Sequence, residues 1–286
     1  KLNLFLHVTG RRSDGYHLLQ SVFMLLDWHD TIDLTIRNDG QITREDSVGG
    51  SALPVQDLCV RAAQALREAT GCGLGVHIRL HKRIPSEAGM GGGSSDAATC
   101  LIGLNRLWRL GLGRQQLAAI GLRLGADVPF FLGGHSAWVE GVGEQITPVQ
   151  LPKARFVVVK PSSGASTPEI FAAPNLKRDT KTATMLSFAA DDCPSDAPTA
   201  TQLDIVRLLQ ETHNDLQPVA QDLCPDIRQC IDWLSSQGLQ GRMTGSGTAV
   251  FAHLPHPQML AQPPEGWVLR TCSNVDVHPL ATWLTG

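Results

Sequence analysis

The sequence predicts an α+β protein in two lobes. Three observations carry that reading. Strand-period and helix-period segments are mixed through the first half. The second half, from the short buried strand at 155–160 onward, looks like a separate unit, with a stretch at 161–200 rich in Pro, Ser, Thr, Ala and Asp. The length, 286 residues with 42% hydrophobic, suits one large domain or two moderate ones. A chain of that size buries about three-quarters of the surface its unfolded form exposes, so it needs no disulfide or metal to hold a core. The boundary is expected near residue 150, at Gln150-Leu151-Pro152, giving lobes of 1–150 and 151–286. No fixed-period repeat is visible.

The elements follow in order. Leu2, Leu4, Phe5 and Leu6 around Asn3 read as a structured strand. Residues 30–36 alternate Ile32, Leu34 and Ile36, a strand. Asp57 is suited to cap a helix reaching Thr70, with Leu58, Ala62, Ala65 and Ala69 as its apolar stripe and Gly71 as its stop. In Val76-His77-Ile78-Arg79-Leu80-His81 the apolar and polar residues alternate, so the two histidines lie on the polar face of a strand and are not a helical metal pair. A glycine-rich loop leads into a helix over 94–110, where Ala97, Leu101, Leu104 and Trp108 share a face. Gly111 is its expected stop. A further helix spans 114–124 and ends at Gly125. Beyond the boundary, 155–160 is a short buried strand, and 191–198 is loop. Helices are expected at 202–210 and 226–237, and strands at 248–253 and 267–272. The tryptophans, Trp28, Trp108 and Trp233 among them, read as packing residues.

Composition narrows the function classes. Charged residues make up 18% and the net charge is -3, which argues against an extensive nucleic-acid-binding face. No apolar run approaches the roughly 20 residues of a membrane span, and no signal-like start is visible. Seven cysteines, an odd number without CxxC spacing, suit reduced thiols in a cytoplasmic protein.

The loop itself is Pro85-Ser86-Glu87-Ala88-Gly89-Met90-Gly91-Gly92-Gly93-Ser94-Ser95. Four glycines in five positions permit positive φ and close approach of backbone to a ligand. N–H groups then converge on anionic oxygens, and the helix that follows adds its positive end. Ser94 and Ser95 add hydroxyls. This is a phosphate cradle of unusual type. The chain has no Gly-Lys dipeptide, so it is no Walker A loop, and Ser94 stands where the dinucleotide fingerprint needs its third glycine. A flexible loop before a capped helix is the plainer alternative.

That string resembles the central motif of the GHMP kinases, a superfamily of small-molecule kinases. Gly241-Arg242-Met243-Thr244-Gly245-Ser246-Gly247-Thr248 resembles their third motif, a glycine turn packed beside the phosphate loop. Three further segments resemble the branch acting on 4-diphosphocytidyl-2-C-methyl-D-erythritol. They are Lys1 to Leu6 with Arg11 to His17, Gly125 to Phe131, and His213-Asn214-Asp215-Leu216. The resemblance runs in order through the chain and is weakest across 161–200. It implies a lobe like the second domain of ribosomal protein S5 followed by a ferredoxin-like lobe. It implies ATP, with Mg2+ bridging phosphates, and phosphorylation of the substrate's 2-hydroxyl.

The resemblance also implies roles. Asp127 matches the catalytic aspartate, and its apolar neighbours suit a base taking the proton of a tertiary alcohol. Otherwise Asp127 is a helix-terminal residue in a turn before a strand. Lys1 matches the catalytic lysine, which would keep Asp127 ionised and supply the cation the loop lacks, although family chains extend upstream of this position. A solvated first residue is the alternative. Tyr16 and His17 match the cytosine-recognising pair, with Phe171 at the position that stacks from the second lobe; otherwise Phe171 is a loop hydrophobe covering the core. Asn3 is a polar contact to substrate, Asp14 closes a turn with Gly15, and Ser94, Ser95 and Asp96 are candidates to touch the metal. Two other readings remain open: a GHMP kinase for homoserine, mevalonate or a sugar, and a non-catalytic nucleotide- or RNA-binding module on an S5-like fold.

Overall fold

The computed structural model describes residues 1–46, 57–190 and 200–284. In chain order the strands and helices are β1 (Leu2–Arg11), β2 (His17–Met24), β3 (Thr31–Arg37), β4 (Ile42–Asp46), α1 (Leu58–Thr70), β5 (Gly75–His81), α2 (Gly92–Leu107), α3 (Arg114–Leu124) and α4 (Val128–Gly133). They continue with β6 (Ala137–Glu140), β7 (Gln145–Gln150), β8 (Arg155–Lys160), α5 (Thr167–Ala172), β9 (Thr201–Gln202), α6 (Ile205–Glu211), α7 (Gln217–Leu223), α8 (Asp226–Ser236), β10 (Arg242–Met243), β11 (Val250–Leu254) and β12 (Val268–Ser273).

By packing, the chain groups into two compact units that do not follow a single cut. One comprises Lys1–Asp27, Glu87–Met90 and Ser136–Asp276; the other comprises Trp28–Ser86, Gly91–His135 and Val277–Gly286.

The first unit holds two sheets. One has the order β1-β2-β6-β7-β9, and the other β10-β11-β8-β12. Strand β1 is buried from Leu2 to Val8, on both faces, so apolar residues occupy consecutive positions at Leu4, Phe5 and Leu6, and Asn3 and His7 are buried with them. Two register shifts against β2, between Asn3 and Leu6 and between Val8 and Gly10, re-aim side chains along it. The four-stranded sheet is antiparallel throughout. Its order is that of a ferredoxin-like lobe, strands two, three, one and four. Helices α5 to α8 supply the first crossover, whereas 255–267 connects β11 to β12 without a helix. Its core gathers Val157, Val159, Ile170, Leu216, Ile227 and Val250. Each such side chain contributes about 1.5–3 kcal/mol on burial.

The second unit places the sheet β3-β5-β4 with α1 to α4. Helix α1 shows both expected caps: Asp57 accepts from the Val60 N–H at 3.0 Å, and Gly71 is left-handed at φ 67°. Its buried face is Cys59, Val60, Ala62, Ala63 and Leu66. The expected stripe is thus rotated: Ala69 is exposed, because Cys59 and Val60, not Leu58, turn inward. Helix α2 begins two residues before Ser94 and stops at Trp108, with Arg109 taking the left-handed conformation at φ 54°, ahead of Gly111. Ala97, Leu101, Leu104 and Trp108 are all buried, as expected. The six described cysteines are free; Cys193 and the expected 191–198 loop lie outside the described residues. Among the described residues no helix is long and apolar enough to cross a membrane.

Candidate active site

The glycine-rich loop joins β5 to α2, the strand-to-helix junction expected. Glu87, Gly89 and Gly91 are left-handed, with φ of 53°, 70° and 67°. The residues between them, Ala88 and Met90, are buried. Alternate residues are therefore anchored in the core while those between turn the other way. Alternation of hand is what aims successive N–H groups at one anion. Glu87 carries the strain, since a non-glycine residue pays about 1–2 kcal/mol for that conformation. The side chains of Ala88 and Met90 are anchors, so only their backbone is left to face a ligand. Gly92 and Gly93 are already helical and have no positive φ. Their use is space: a Cβ on Gly92 would sit 3.1 Å from Ile84 Cγ2, and one on Gly93 3.3 Å from Leu58 Cδ1.

In the first unit the second glycine turn lies directly against this loop. A Cβ on Gly247 would stand 1.8 Å from Gly89 N, and one on Gly89 2.1 Å from the Thr244 carbonyl oxygen. The Thr248 N–H donates to the Glu87 carbonyl at 3.3 Å. A cavity of about 590 Å³ opens beside them, lined by Glu87, Gly89, Gly164, Thr167, Ser246 and Gly247 among others. The Thr167 and Ser246 hydroxyls bond across it at 2.6 Å. Sequence reading missed Thr167 and Gly164, which lie in the segment read as loop.

Lys1 is 6% exposed, not a solvated terminus. Its α-amino group donates to the Met90 carbonyl at 3.1 Å, tying the first residue to the loop. Its Nζ donates to Asn3 Oδ1 and lies 4.1 Å from the centre of the Phe23 ring. Asn3 is buried too. Its N–H donates to Thr244 Oγ1 at 2.8 Å and its amide to Ser21 Oγ at 3.1 Å.

In the second unit Asp127 is half-buried at the start of the short helix α4, not in a turn before a strand. Pro129 in the first turn favours the helix, and the Asp127 side chain does not cap it. The Gly125 turn just before passes Ser94: a Cβ on Gly125 would be 3.7 Å from Ser94 Oγ. Lys82, also in this unit, bonds Asp30 and, at 2.8 Å, Asp96. Asp30 accepts in addition from the Arg83 and Ile84 N–H groups. Burial raises the Asp96 carboxyl, against the pull of Lys82, and Asp30 nearby adds to the rise. Burial lowers the Lys82 ammonium, but Asp96 and Asp30 together outweigh it and raise it. Asp96 is thus held by Lys82, which weakens its candidacy as a metal contact. No cluster of three or more His, Cys, Asp or Glu side chains suited to a metal occurs among the described residues.

Tyr16 is 65% exposed at the tip of the β1–β2 turn. Asp14 accepts its N–H at 3.2 Å, and Gly15 is left-handed at φ 92°, the turn chemistry expected. His17 is half-buried. Its ring lies 5.0 Å from that of Phe171 at an interplanar angle of 33°. Phe171 belongs to α5 and is partly buried against the core. Burial, then Arg178 and Arg11, lower the His17 imidazole. Arg178 donates from Nε to His17 Nε2 at 3.0 Å across 161 residues of sequence, a partner no local pattern announces.

Two family models match the chain: the GHMP kinases N terminal domain over residues 57–135 and the GHMP kinases C terminal over 201–258. The 4-diphosphocytidyl-2-C-methyl-D-erythritol kinase of Polaromonas naphthalenivorans (strain CJ2) is 62% identical, over 99% of this chain and 93% of its own length. That of Variovorax paradoxus (strain S110) is 57% identical, over 100% and 96%. The chain belongs to the 4-diphosphocytidyl-2-C-methyl-D-erythritol kinase family of GHMP kinases. A crystal structure of 4-(cytidine 5'-diphospho)-2C-methyl-D-erythritol kinase superimposes with a TM-score of 0.73 at 30% identity, covering 96% of both chains. The mevalonate kinase of Methanococcus jannaschii shares the fold alone, with a TM-score of 0.61 at 12% identity and 96% coverage of each. Family membership makes this protein a kinase that uses ATP, on the two-domain α+β fold of the GHMP superfamily.

Proposed function

We propose that the protein transfers the γ-phosphoryl group of ATP to the 2-hydroxyl of 4-diphosphocytidyl-2-C-methyl-D-erythritol, in the non-mevalonate route to isoprenoid precursors. The observation that carries the reading is identity of 62% over 99% of the chain to a relative bearing that kinase name. The homoserine, mevalonate and sugar readings have only fold-level likeness behind them.

The loop Pro85 to Ser95 holds the triphosphate. Its left-handed residues and the start of α2 supply backbone N–H groups and a partial positive charge of about half an elementary unit. Ser94 and Ser95 supply hard hydroxyl oxygens. These suit Mg2+, which keeps several waters and takes most remaining ligands from phosphate oxygens. When bound, the metal neutralises charge on the β- and γ-phosphates. Asp127 takes the proton of the acceptor hydroxyl as its oxygen attacks phosphorus. Its half-buried position supports that role. Lys1 is the cation of the step. Burial, the Phe23 face and Asn3 Oδ1 hold its ammonium in place, which supports a positioned charge over a mobile tail. Asn3 orients Lys1, and its part in substrate binding is through that ammonium. Tyr16, His17 and Phe171 receive the cytosine; the His17–Phe171 ring pair and the exposed Tyr16 ring support this. The division into 1–150 and 151–286 is kept for the family modules, whose matched segments fall on either side of residue 150. The protein acts on a small molecule in the cytoplasm, with no nucleic-acid or membrane partner.

The test is ADP release with the CDP-linked alcohol, homoserine, mevalonate and galactose side by side. The CDP-linked alcohol should exceed the others in kcat/KM by at least about 100-fold. Preference for any of the others would overturn the assignment.

A further inference from the structure

The guanidinium of Arg178 makes four hydrogen bonds. Nε donates to His17 Nε2 at 3.0 Å, one terminal nitrogen to the Leu176 carbonyl at 3.0 Å, and the other to the carbonyls of Phe171 at 3.0 Å and Ala173 at 2.8 Å. Phe171 and Ala173 stand at the C-terminal end of α5, where helix carbonyls lack intrahelical partners. One planar fork therefore ties the end of the helix that carries Phe171 to the imidazole of His17. The ring distance of 5.0 Å between His17 and Phe171 is a consequence of that tie.

The tie also has a protonation consequence. Arginine has no acceptor and does not lose its proton in proteins. The Nε–H is therefore always the donor, and His17 Nε2 is always the acceptor. A neutral imidazole that accepts at Nε2 carries its hydrogen on Nδ1. Burial and the neighbouring Arg178 and Arg11 charges keep the ring neutral. His17 is thus fixed as an Nδ1–H donor. A donor in a base pocket selects an acceptor on the base edge. Cytosine presents an unprotonated N3 there, whereas uracil carries a hydrogen on N3.

We infer that Arg178 is a specificity-determining positioning residue, which locks His17 as an Nδ1–H donor beside Phe171 and so favours cytosine over uracil. The inference rests on the base-pocket assignment made above. It adds one detail to it: His17 reads a ring acceptor of the base.

The test uses the intact enzyme in two measurements. The first is 15N NMR of histidine-labelled protein, with His17 assigned by its loss in His17→Gln. Nδ1 protonated and Nε2 unprotonated is expected. A proton on Nε2 in the wild type overturns the inference, and this readout needs no Arg178 variant to fold. The second is inhibition by CDP and by UDP against the CDP-linked alcohol, in wild type, Arg178→Met and Arg178→Lys, with thermal melting to check folding. Wild type should prefer CDP by about 10-fold or more, the worth of one specific hydrogen bond in discrimination. In Arg178→Met the ratio should fall towards one, and KM for the alcohol should rise while KM for ATP holds. Arg178→Lys, which keeps the charge but not the fork, should recover little. A folded Arg178→Met that keeps the full CDP/UDP ratio overturns the specificity role. Equal inhibition of the wild type by CDP and UDP overturns the base-pocket assignment and the specificity role with it, while leaving the NMR result to stand alone.

Discussion

Replacing Gly247 with alanine probes whether the second glycine turn sets the phosphate loop. The new Cβ would start 1.8 Å from Gly89 N, 2.2 Å from the Ala88 carbonyl carbon and 2.5 Å from Gly89 Cα. Ordinary contact at about 3.5 Å or more requires the two backbones to separate by more than 1.5 Å or so. Every atom in the way is main chain, so no side chain is available to rotate aside. The displaced residue is Gly89, whose left-handed φ of 70° is part of the cradle. Misplacing a binding group by about 1 Å costs on the order of 100-fold, or about 2.7 kcal/mol. We therefore expect kcat/KM for ATP to fall about 100-fold or more in Gly247→Ala. Affinity for the CDP-linked alcohol alone should stay within about threefold. Calorimetry with that substrate and with a non-hydrolysable ATP analogue separates the two. Gly238→Ala is the control: its φ is 73° but nothing lies within 4 Å of the added carbon. It should cost about 1–2 kcal/mol of stability and leave ATP binding alone. ATP affinity near wild type in Gly247→Ala would refute the reasoning, and equal loss of both ligands would point to general unfolding.

Asp127→Asn should leave folding and nucleotide binding nearly intact while turnover falls about 100- to 10,000-fold in single-turnover kinetics. Lys1→Ala, made with the natural upstream residues present, should also lose turnover, and the double variant should lose less than the product of the two defects. Tyr16→Ala should weaken the CDP-linked alcohol about 5- to 150-fold without lowering the melting temperature, since that ring is 65% exposed. His7 is buried, and its imidazole is lowered to about 4 by burial first, then by His213, Arg242 and Lys177 against the opposing Asp215. The unfolded chain binds this proton from about pH 6.5 downward and the folded chain only near 4, so stability is lost as pH falls through that window, by about 3 kcal/mol at most. Denaturant midpoints of His7→Phe against pH should be flatter there. Asp96 has the opposite sign: its carboxyl is raised in the fold, so its contribution is lost as pH rises through the same region, and Asp96→Asn should steepen the acid loss.

What the sequence disclosed depended on how local each signal was. Asp57 and Gly71 gave both ends of α1 because caps are local chemistry, and α3 matched 114–124 for the same reason. Helix α4 was hidden because six residues reading Val128-Pro129-Phe130-Phe131-Leu132-Gly133 look like an apolar run with no period. Helix α5 was hidden inside a segment whose composition reads as loop, and only Pro168 and Glu169 after Ser166 mark its start. Strand β9 is two residues long and exists through its parallel pairing with β7, from Val149 to Thr201 and from Gln150 to Gln202, which no periodicity records. In the loop, the strand-to-helix junction and the positive φ of Gly89 and Gly91 were legible from the glycines, but the division of labour among them was not. Glu87 takes a left-handed conformation that composition assigns to glycine, while Gly92 and Gly93 do not use theirs. The lock on His17 comes from a residue 161 positions away.

On the proposed reading, the same geometry explains how a phosphate loop without its own lysine keeps its shape. Lys82 stands close to the start of α2: a Cβ on Gly92 would be 3.4 Å from its Nζ. It is nonetheless poorly placed to serve as a phosphate cation. Asp30 and Asp96 both bond it, and two carboxylates on one ammonium leave no net positive charge to offer. Asp30 also accepts from the Arg83 and Ile84 N–H groups, just where the chain leaves β5. The triad therefore braces the entry to the loop. On the proposed reading the anion meets backbone dipoles, and Lys1 supplies a full positive charge. The α-amino group of Lys1 bonds the Met90 carbonyl, within the loop itself. Cation and cradle are thus fixed to one stretch of backbone, and a shift of the loop carries with it the residue that anchors the charge. On that reading, the Lys1 charge follows the position of the loop more closely than a lysine on an independent element would.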